Sequence, residues 1–369
     1  MELSASLVAR QLRARERMAA TGTDAMLLSV GADLPYLTGY EAMPLERLTM
    51  LVVPADGDAV LVVPRLEAPR VVERPDAFEL FAWDETDDPI DVVAGLVRGI
   101  DAEVTSAAIG DHTWARFVLD LQAALPGIAF RRAVDVTGPL RVVKDPTEIE
   151  ALRAAARVVD DVAETMRSRP FGGRTELAVH RELVERMLEG GHERANFAIV
   201  AAGENAASPH HDPSDRVIVP GDVVLCDFGG SMHGYCSDIT RMFVVGRTDP
   251  EVRDVYAVLL EAQEAGVQAA EVGARCEDVD AAARRVITDA GYGEYFVHRT
   301  GHGIGTEAHE DPYVVEGNAT RLVPGHAFSV EPGIYLPGRF GLRLEDIVVA
   351  TDAGPERLNH AARDLALVE

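Results

Sequence analysis

The sequence predicts an α+β protein of two domains, a smaller α/β domain over residues 1–140 and a larger α+β domain over residues 141–369. In the first part of the chain, compact apolar runs alternate with helical segments, which is typical of α/β domains. The second part combines amphipathic helices with a mixed set of strands. A chain of 369 residues with 47% apolar content is long enough for two ordinary hydrophobic cores.

The first domain is predicted to open with an amphipathic helix over residues 3–20. The apolar residues Leu3, Leu7, Leu12 and Met18 recur along one side of this helix. Short apolar runs, divided by Gly, Pro and Asp, predict the strands that follow. These runs are AMLLSV (25–30), LTMLVVP (48–54), AVLVVP (59–64) and AAIG (107–110).

A strong helix start opens the second domain. Asp145 can cap the helix, Pro146 suits its first position, and Glu148 can complete a reciprocal capping pair. Phe171-Gly172-Gly173 ends this helix, and Thr175 caps a second one. The remaining predictions are the end of the second helix at Gly190-Gly191, helices over 250–271 and 276–290, and strands over 196–202, 222–228, 233–245, 326–335 and 342–350.

The composition excludes several classes of function. Sixty-one acidic and 35 basic residues give a net charge of −26, which argues against nucleic acid or an anionic membrane surface as a partner. The first twenty residues carry charges throughout, and no stretch reaches about 18 uninterrupted apolar residues, so neither secretion nor membrane spanning is expected. The three cysteines form no regular framework and predict reduced thiols in a cytoplasmic protein.

Two aspartates of the second domain lie in strand-like stretches. In VVLCDFGG, Asp227 shares a strand face with Val223 and Leu225, so its carboxylate is expected to point inward. GYCSDITRMFVV places Asp238 in a second predicted strand, where a hairpin would bring the two carboxylates together. Because a buried carboxylate without a partner is costly, a cation is the obvious compensation. Taken alone, an aspartate pair is more often solvated or salt-bridged.

Three further polar residues strengthen this interpretation. His302 lies between two glycines in TGHGIG, where we expect the backbone to be able to approach a metal closely. Glu331 follows an apolar strand in SVEPGIY, and Glu345 lies among apolar residues in GLRLEDIVV. Four carboxylates and one imidazole would suit a pair of divalent cations that share one water molecule, because four carboxylates cancel four positive charges. The pattern predicts a two-metal hydrolase.

The order Asp, Asp, His, Glu, Glu, with HGIG, EPGIY and LRLED around it, resembles the pita-bread metallopeptidases. Within them, the chain is most similar to the Xaa-Pro dipeptidase (prolidase) and aminopeptidase P group. The resemblance covers essentially the whole chain, and LPYLTGY (34–40) suggests a creatinase-type N-terminal domain. It implies a C-terminal pita-bread domain in which Asp227, Asp238, His302, Glu331 and Glu345 bind two metal ions.

The resemblance also implies roles for residues beside the metals. His210 matches the family's histidine through its distance from Ser214-Asp215-Arg216, with His211 as the alternative in the tandem pair. By resemblance, His210 and His298 would line the substrate pocket, and His309 would stabilise the oxyanion. Arg343, two residues before Glu345, is similar to the family's arginine that pairs with a metal-site carboxylate or the substrate, although charge compensation alone would also require it.

The activity that the resemblance implies is hydrolysis of Xaa-Pro bonds, most of all in dipeptides, with Glu331 as proton shuttle as well as ligand. That bond is a tertiary amide without an N–H, so a metal pair can cleave it where enzymes that bind this hydrogen cannot. The ligands favour Mn²⁺ or Co²⁺, with Zn²⁺ as a further possibility. The expected partners are small peptides with proline second and a second copy of the chain in a homodimer.

Two alternatives remain open from the sequence. An aminopeptidase P would use the same ligands but act on longer Xaa-Pro-Xaa peptides. A non-catalytic pita-bread binding protein would belong to a different class, although such proteins typically abandon one or more ligands. All five ligand positions are filled here, which favours an enzyme.

Overall fold

The computed structural model describes residues 2–100 and 103–369, with side chains from residue 6 onward in those ranges. The chain divides into two compact units, Met1–Arg141 and Val142–Glu369. Within the described ranges, no helix is long and apolar enough to cross a membrane.

The first unit is built on a six-stranded sheet in the order β4-β3-β2-β1-β5-β6, with β1 antiparallel to β2 and parallel to β5. Alternate residues of β1 face opposite cores, Met26 and Leu28 one of them and Ala25 and Leu27 the other. The helices are α1 (Glu2–Thr21), α2 (Asp33–Thr38), α3 (Pro89–Arg98), α4 (Ala115–Ala124) and α5 (Val134–Arg141), with a 3₁₀ turn at Ala68–Arg70. The strands are β1 (Ala25–Leu28), β2 (Met50–Pro54), β3 (Val60–Pro64), β4 (Glu79–Trp83), β5 (Ser106–Ile109) and β6 (Ala129–Arg132).

The predicted first helix is confirmed, but its apolar face differs from the prediction. Leu7 and Met18 are fully buried, whereas Leu12 is 55% exposed. Five residues of α-helix turn through about 500°, so Leu12 lies about 140° around the axis from Leu7. The side chain of Leu3 lies outside the described residues.

The second unit contains two larger sheets and a hairpin. One sheet has the order β18-β10-β8-β7, with β9 paired to β8; the other has the order β12-β11-β13-β16-β17; β14 and β15 form the hairpin. The helices are α6 (Pro146–Met166), α7 (Glu176–Glu189), α8 (Pro250–Ala269) and α9 (Cys276–Asp289), with 3₁₀ turns at Gly203–Ala207 and Gly293–Tyr295. The strands are β7 (Arg194–Ala202), β8 (Val223–Met232), β9 (Tyr235–Cys236), β10 (Ile239–Val245), β11 (Gly301–Gly303), β12 (Glu310–Val314), β13 (Ala327–Val330), β14 (Gly333–Leu336), β15 (Phe340–Arg343), β16 (Asp346–Thr351), β17 (Gly354–Arg357) and β18 (Ala366–Val368).

Strand β8 has cores on both faces. Val224, Cys226 and Phe228 belong to a core that includes residues of α6 and α7, while Val223 and Leu225 belong to a second core with α8. An aspartate at position 227 therefore continues the row of Val223 and Leu225, as the alternation predicts. The sheet is covered on both sides and fixes this side chain in a buried position.

Three predicted strands are interrupted in the structure. The strand expected over 233–245 splits into β9 and β10, the one over 326–335 into β13 and β14, and the one over 342–350 falls into β15 and β16. The prediction of continuous strands was wrong at the second and third breaks because the chain leaves one sheet there and enters another. At the first break, β9 and β10 both pair with β8, and the strand is interrupted at Ser237-Asp238 within one sheet. Apolar composition is the same on both sides of such a break, so hydrophobicity alone does not locate it.

Candidate active site

Strand β8 holds Asp227 at the centre of the second unit. The side chain is buried, and its Oδ1 atom has no hydrogen-bond partner. The other oxygen, Oδ2, accepts from Nη2 of Arg343. One carboxylate oxygen is therefore anchored while the other is left for a ligand.

Asp238 lies in the connection between β9 and β10, rather than within a strand as we predicted. It is 3% exposed, and its Oδ1 atom also lacks a hydrogen-bond partner. The backbone before it is pinned because the Ser237 N–H donates to the Gly230 carbonyl of β8 at 2.8 Å. The expected approach of the two aspartates is confirmed: oxygens of Asp227, Asp238 and Glu345 lie within 4.8 Å of one another.

His302 lies in β11, between β12 and β13, and is 4% exposed. Its Nδ1 lies 3.1 Å from the Gly303 carbonyl, to which it can donate, so Nε2 is left with a lone pair for a cation. The flanking glycines also have a packing role that we did not predict. A Cβ at Gly301 would overlap the Ser329 carbonyl, and one at Gly303 would overlap the carbonyl of Asp311, so the glycines admit the neighbouring strands.

Glu331 and Glu345 emerge from the same end of one antiparallel ladder. Strands β13 and β16 pair through Val330 and Asp346, and each glutamate is the next residue outward from this pair. Glu331 accepts from the Ser329 hydroxyl at 3.0 Å, and Glu345 accepts from the Thr240 hydroxyl at 2.7 Å. A single strand register therefore sets the position of both carboxylates.

The five predicted ligands form overlapping groups. Ligand atoms of His302, Glu331 and Glu345 lie within 4.8 Å of one another, as do those of Asp227, Asp238 and Glu345. Nε2 of His302 is 3.2 Å from Oε1 of Glu331 and 3.8 Å from Oδ2 of Asp238. The structure therefore brings together the whole set proposed from the sequence.

The buried carboxylates of this cluster repel one another, and a bound cation would stabilise them. Burial, together with repulsion from neighbouring carboxylates, raises the pKa of Asp238 and Glu345 well above their usual range. Burial also raises the pKa of Asp227. Oxygens of all three, Asp227 Oδ1, Asp238 Oδ1 and Glu345 Oε1, are buried without a hydrogen-bond partner. Divalent cations would satisfy these oxygens and cancel the repulsion, so the residues fit a metal centre.

Arg343 is the cation that the structure itself supplies to this cluster. It is 2% exposed, and it donates from Nη2 to Asp227 and from Nη1 to the hydroxyl of Tyr335 at 2.8 Å. Its Nε atom donates to the Thr240 hydroxyl at 3.3 Å and lies 4.0 Å from Oε2 of Glu331. All three nitrogens of the guanidinium therefore donate hydrogen bonds, and we interpret Arg343 as a residue that orients the ligands.

Tyr335 is a residue of the site that sequence reasoning missed. Its hydroxyl accepts from Arg343 and lies 2.9 Å from Nε2 of His298. Burial raises the pKa of Tyr335 to about 12, so the hydroxyl keeps its proton at neutral pH. The residue belongs to the EPGIY motif, which was the sequence signal that could have revealed it, and it pairs with Gly341 across the β14–β15 hairpin.

The other predicted histidines lie at different distances from the carboxylates. The ring of His309 lies 3.8 Å from that of His302, centroid to centroid, on an exposed position. Although the residue is exposed overall, partial burial of its ring, together with the nearby His302, lowers the pKa of His309 to about 4, so it is a neutral imidazole at pH 7. His298 is half-buried, with Nδ1 2.7 Å from the Arg299 carbonyl and Nε2 facing Tyr335, so it reaches the site through that tyrosine.

The tandem histidines occupy distinct positions. Nε2 of His211 lies 3.0 Å from Oε2 of the buried Glu176, whereas His210 is exposed. The carbonyl of Pro209, one residue before, accepts from Nη1 of Arg343 at 3.2 Å. This contact attaches the loop that carries His210 to the arginine beside the carboxylates.

Arg299 is a second residue that the sequence did not single out. Its guanidinium lies 4.3 Å from the ring centroid of Tyr313, and among the described residues no carboxylate pairs with it. Gly301 pairs with Val314 and Gly303 with Glu310, so four residues of β12 bulge across two residues of β11. The Arg299 charge contributes to the lowered pKa of His309.

Comparison with known proteins finds relatives along the whole chain. The model of the family described as Metallopeptidase family M24 matches residues 150–352, and that of the Creatinase/Prolidase N-terminal domain matches residues 10–143. The probable dipeptidase PepE of Mycobacterium tuberculosis is 42% identical over 99% of this chain and 97% of that protein. The Xaa-Pro dipeptidase of Lactobacillus helveticus is 34% identical over 94% of this chain and 96% of that protein. The crystal structure of a recombinant prolidase from Thermococcus sibiricus, 37% identical, matches with a TM-score of 0.91 and covers 97% of this chain and 98% of that one.

Proposed function

Because this chain belongs to metallopeptidase family M24, we propose that it is a metal-dependent dipeptidase that hydrolyses the bond before proline in Xaa-Pro dipeptides. Peptidase activity follows from the family, and the dipeptidase and prolidase relatives favour dipeptides over longer substrates. The observation that carries the proposal is the set of three buried, unpartnered carboxylate oxygens next to His302 and Glu331. A binding protein without catalysis would have no need to retain so costly a cluster.

We assign the metal ligands to Asp227, Asp238, His302, Glu331 and Glu345, and we propose that they hold two divalent ions. Such ions, when bound, supply Lewis acidity that lowers the pKa of a water molecule and polarises a carbonyl. Mn²⁺ or Co²⁺ suits ligands that are mostly carboxylates, and Zn²⁺ is compatible with the same set. The overlap of the carboxylate and histidine groups supports two adjacent positions.

Glu331 is the proposed proton carrier of the reaction. Oε1 of Glu331 lies 3.2 Å from Nε2 of His302, within the proposed ligand set, so the carboxylate is close to where the attacking water would be activated. It can accept a proton from the attacking water and return it to the prolyl nitrogen as the bond breaks. Ser329 donates to Oε1 and keeps the carboxylate oriented while it does so.

His309 and His210 are the proposed donors to the substrate. A neutral imidazole of His309 can donate its N–H to the oxyanion that develops on the scissile carbonyl. His210 is exposed, and the contact with Glu176 is made by its neighbour His211. We propose that His298 and Arg343 contribute to substrate binding through the hydroxyl of Tyr335, which both contact.

Arg299 is the proposed anchor for the carboxylate of the dipeptide. A substrate that ends at proline presents a negative charge close to the scissile bond, and a free guanidinium can pair with it through two parallel hydrogen bonds. Arg299 stacks on Tyr313, and its charge contributes to the lowered pKa of His309, so the two residues lie close together. A cation in this position favours dipeptides because a longer peptide has an amide at the same place.

The proposal is tested by comparing Ala-Pro, Ala-Pro amide and Ala-Pro-Ala as substrates, with Mn²⁺ added and after chelation. We expect Ala-Pro to be cleaved best and chelation to abolish the activity. R299Q should raise KM for Ala-Pro about tenfold or more, since a charge-assisted hydrogen bond contributes about 1.5–3 kcal/mol, and should leave the amide unaffected. The control R285Q, on the exposed face of α9, should change neither. A preference for Ala-Pro-Ala would instead establish an aminopeptidase P.

We further propose a homodimer in the cytoplasm. Three free, buried cysteines are compatible with a reducing compartment. Sedimentation equilibrium tests the assembly, since the monomer has a mass of 39.8 kDa. Fractionation of the source cells tests the compartment.

A further inference from the structure

Glu176 is a buried carboxylate that the proposed reaction does not use. It is fully buried at the first turn of α7, and its oxygens accept five hydrogen bonds. Oε1 accepts from the Ala202 N–H at 2.8 Å and from Nδ2 of Asn205 at 3.0 Å. Oε2 accepts from the N–H and hydroxyl of Ser214 at 3.1 and 2.6 Å and lies 3.0 Å from Nε2 of His211.

Four of the five donors come from one segment, residues 203–214, which we call the histidine loop because it carries His210. Among the described residues, both carboxylate oxygens are thus engaged with this loop and with the end of β7 just before it. Their attraction to the carboxylate outweighs its burial and lowers the pKa of Glu176, so the group is ionised. Charge-assisted hydrogen bonds of this kind contribute more than neutral ones.

The histidine loop in turn contacts the strand that carries Arg343. The Pro209 carbonyl accepts from Nη1 of Arg343, and a Cβ at Gly341 would overlap the carbonyl of Ala206. His210 lies directly after Pro209, so its position depends on how the loop meets β15. A displacement of the loop would therefore move His210 relative to the carboxylate cluster.

We propose that Glu176 is a positioning residue for His210, holding the histidine loop so that this imidazole meets the substrate. The inference rests on the proposed function, since it takes His210 to contact the substrate. The base of the loop has independent support, because the backbone N–H groups of Glu176 and Leu177 donate to the carbonyls of Arg216 and Ser214. Loss of the side-chain charge should thus shift the loop without unfolding α7.

A double-mutant cycle on the metal-loaded enzyme tests this coupling. E176Q should lower kcat/KM for Ala-Pro about tenfold, because the amide can no longer accept from all five donors. H210A should cost about 100-fold, as for the loss of one oxyanion donor. In the H210A background, E176Q should cost less than twofold more, since a residue that acts through His210 has nothing left to position. E176D, which keeps the charge, should recover part of the activity.

Equal losses from E176Q in both backgrounds, or no loss from E176Q at all, would overturn the proposal. Metal content and thermal midpoint are measured on each variant, and S214A, which removes a single donor, replaces E176Q if the latter does not fold.

A second readout needs no substrate. The imidazole NMR signals of His210, assigned through H210A, should shift in E176Q while those of the distant His326 stay in place; an unchanged His210 signal contradicts the inference. Wild-type inactivity on Ala-Pro would count against the proposed function alone, and the NMR experiment would still decide the role of Glu176.

Discussion

At the scale of single residues, the planar guanidinium of Arg343 connects more of the site than any charge-equivalent side chain could. It donates in three directions, to Asp227, Tyr335 and Thr240. A lysine ammonium has the same charge but no rigid fork with which to make these contacts together. Charge compensation alone therefore does not explain why the position holds arginine.

We expect R343K to lower activity and metal affinity about 10–100-fold, the usual cost of removing a group that orients a metal ligand. Titration of the apoenzyme with Mn²⁺, followed by isothermal calorimetry, measures the affinity. R339K, at the exposed tip of the β14–β15 hairpin, is the matched control and should bind Mn²⁺ like the parent. Equal Mn²⁺ affinities for R343K and R339K would show that Arg343 contributes only its charge to the site.

His309 provides a second prediction at this scale. H309A should reduce kcat by about 10²–10³, because one oxyanion donor is removed, while the metal content stays the same. Steady-state kinetics together with metal analysis separate the two effects. H233N, which changes an exposed histidine of the β8–β9 turn, should behave as the parent; unchanged turnover in H309A would remove this histidine from the mechanism.

His326 predicts a pH dependence of stability. Burial, with a smaller effect of the Lys144 charge, lowers the pKa of His326 from 6.5 to about 4, and its Nδ1 has no hydrogen-bond partner. The unfolded chain takes up the proton below about pH 6.5 while the folded one does not, so stability is complete above that pH and falls as the pH drops towards 4. At pH 5 the loss should be about 2 kcal/mol.

Urea unfolding of the parent and of H326Q at pH 7 and pH 5 measures this contribution. The free energy of unfolding of H326Q should fall less over this range, by about 2 kcal/mol. Both proteins share every other titrating group, so the difference isolates His326. Parallel losses in the two proteins would show that the imidazole is protonated in the folded state as readily as in the unfolded one.

At the scale of elements, the start of α6 shows a case in which local sequence determines local structure. Asp145 accepts from the N–H groups of Thr147 and Glu148 at 2.9 Å, and the Glu148 carboxylate accepts from the Asp145 N–H at 2.9 Å. The predicted capping box is therefore confirmed. The other oxygen of Glu148 has a further role. The Tyr235 hydroxyl donates to Oε1 of Glu148 at 2.8 Å and connects β9 to the start of the helix.

We expect D145A to lower the free energy of unfolding by about 1 kcal/mol, the usual cost of losing a helix cap. For a unit of this size the thermal midpoint should fall by about 2–4 °C. D145S keeps a good capping oxygen and should stay near the parent. Differential scanning calorimetry distinguishes them, and equal midpoints for D145A and D145S would show that the cap contributes little here.

The elements were predictable from the sequence to different degrees. Helices such as α6 and α7 have caps and apolar spacing within their own residues, and strand β8 has alternation that placed Asp227 inward. The breaks at Glu331-Pro332 and Leu344-Glu345 depend on which sheet the next residues join. Such pairings are set by residues distant in sequence, as in the bridge between Thr240 and Glu345, and local patterns do not encode them. The partners of Tyr335 and Arg299 could not be foreseen for the same reason.

At the scale of the whole molecule, the carboxylate cluster links stability to metal binding. The folded second unit brings four carboxylates together, and the unfolded chain separates them. A cation that binds only the folded form stabilises it by about 2.7 kcal/mol at 100 times its dissociation constant. Folding and metal occupancy should therefore change together.

We expect chelation to lower the thermal midpoint of the parent by several degrees, and Mn²⁺ to restore it. H302A, which lacks one proposed ligand, should show a smaller difference between the two conditions. Differential scanning fluorimetry of both proteins, with and without the chelator, measures the shifts. A midpoint that is indifferent to metal in the parent would contradict metal binding at this cluster.

The shared register of Glu331 and Glu345 has a consequence for protein engineering. Since β13 and β16 fix both carboxylates, the β14–β15 hairpin between them is an excursion that begins and ends at one ladder. Its tip, at Pro337, Gly338 and Arg339, is exposed and lies beyond the residues that contact Arg343. New segments could be grafted there, or the tip shortened, with the chemistry left intact. The hairpin tip can thus vary in sequence and length while Glu331 and Glu345 keep their positions.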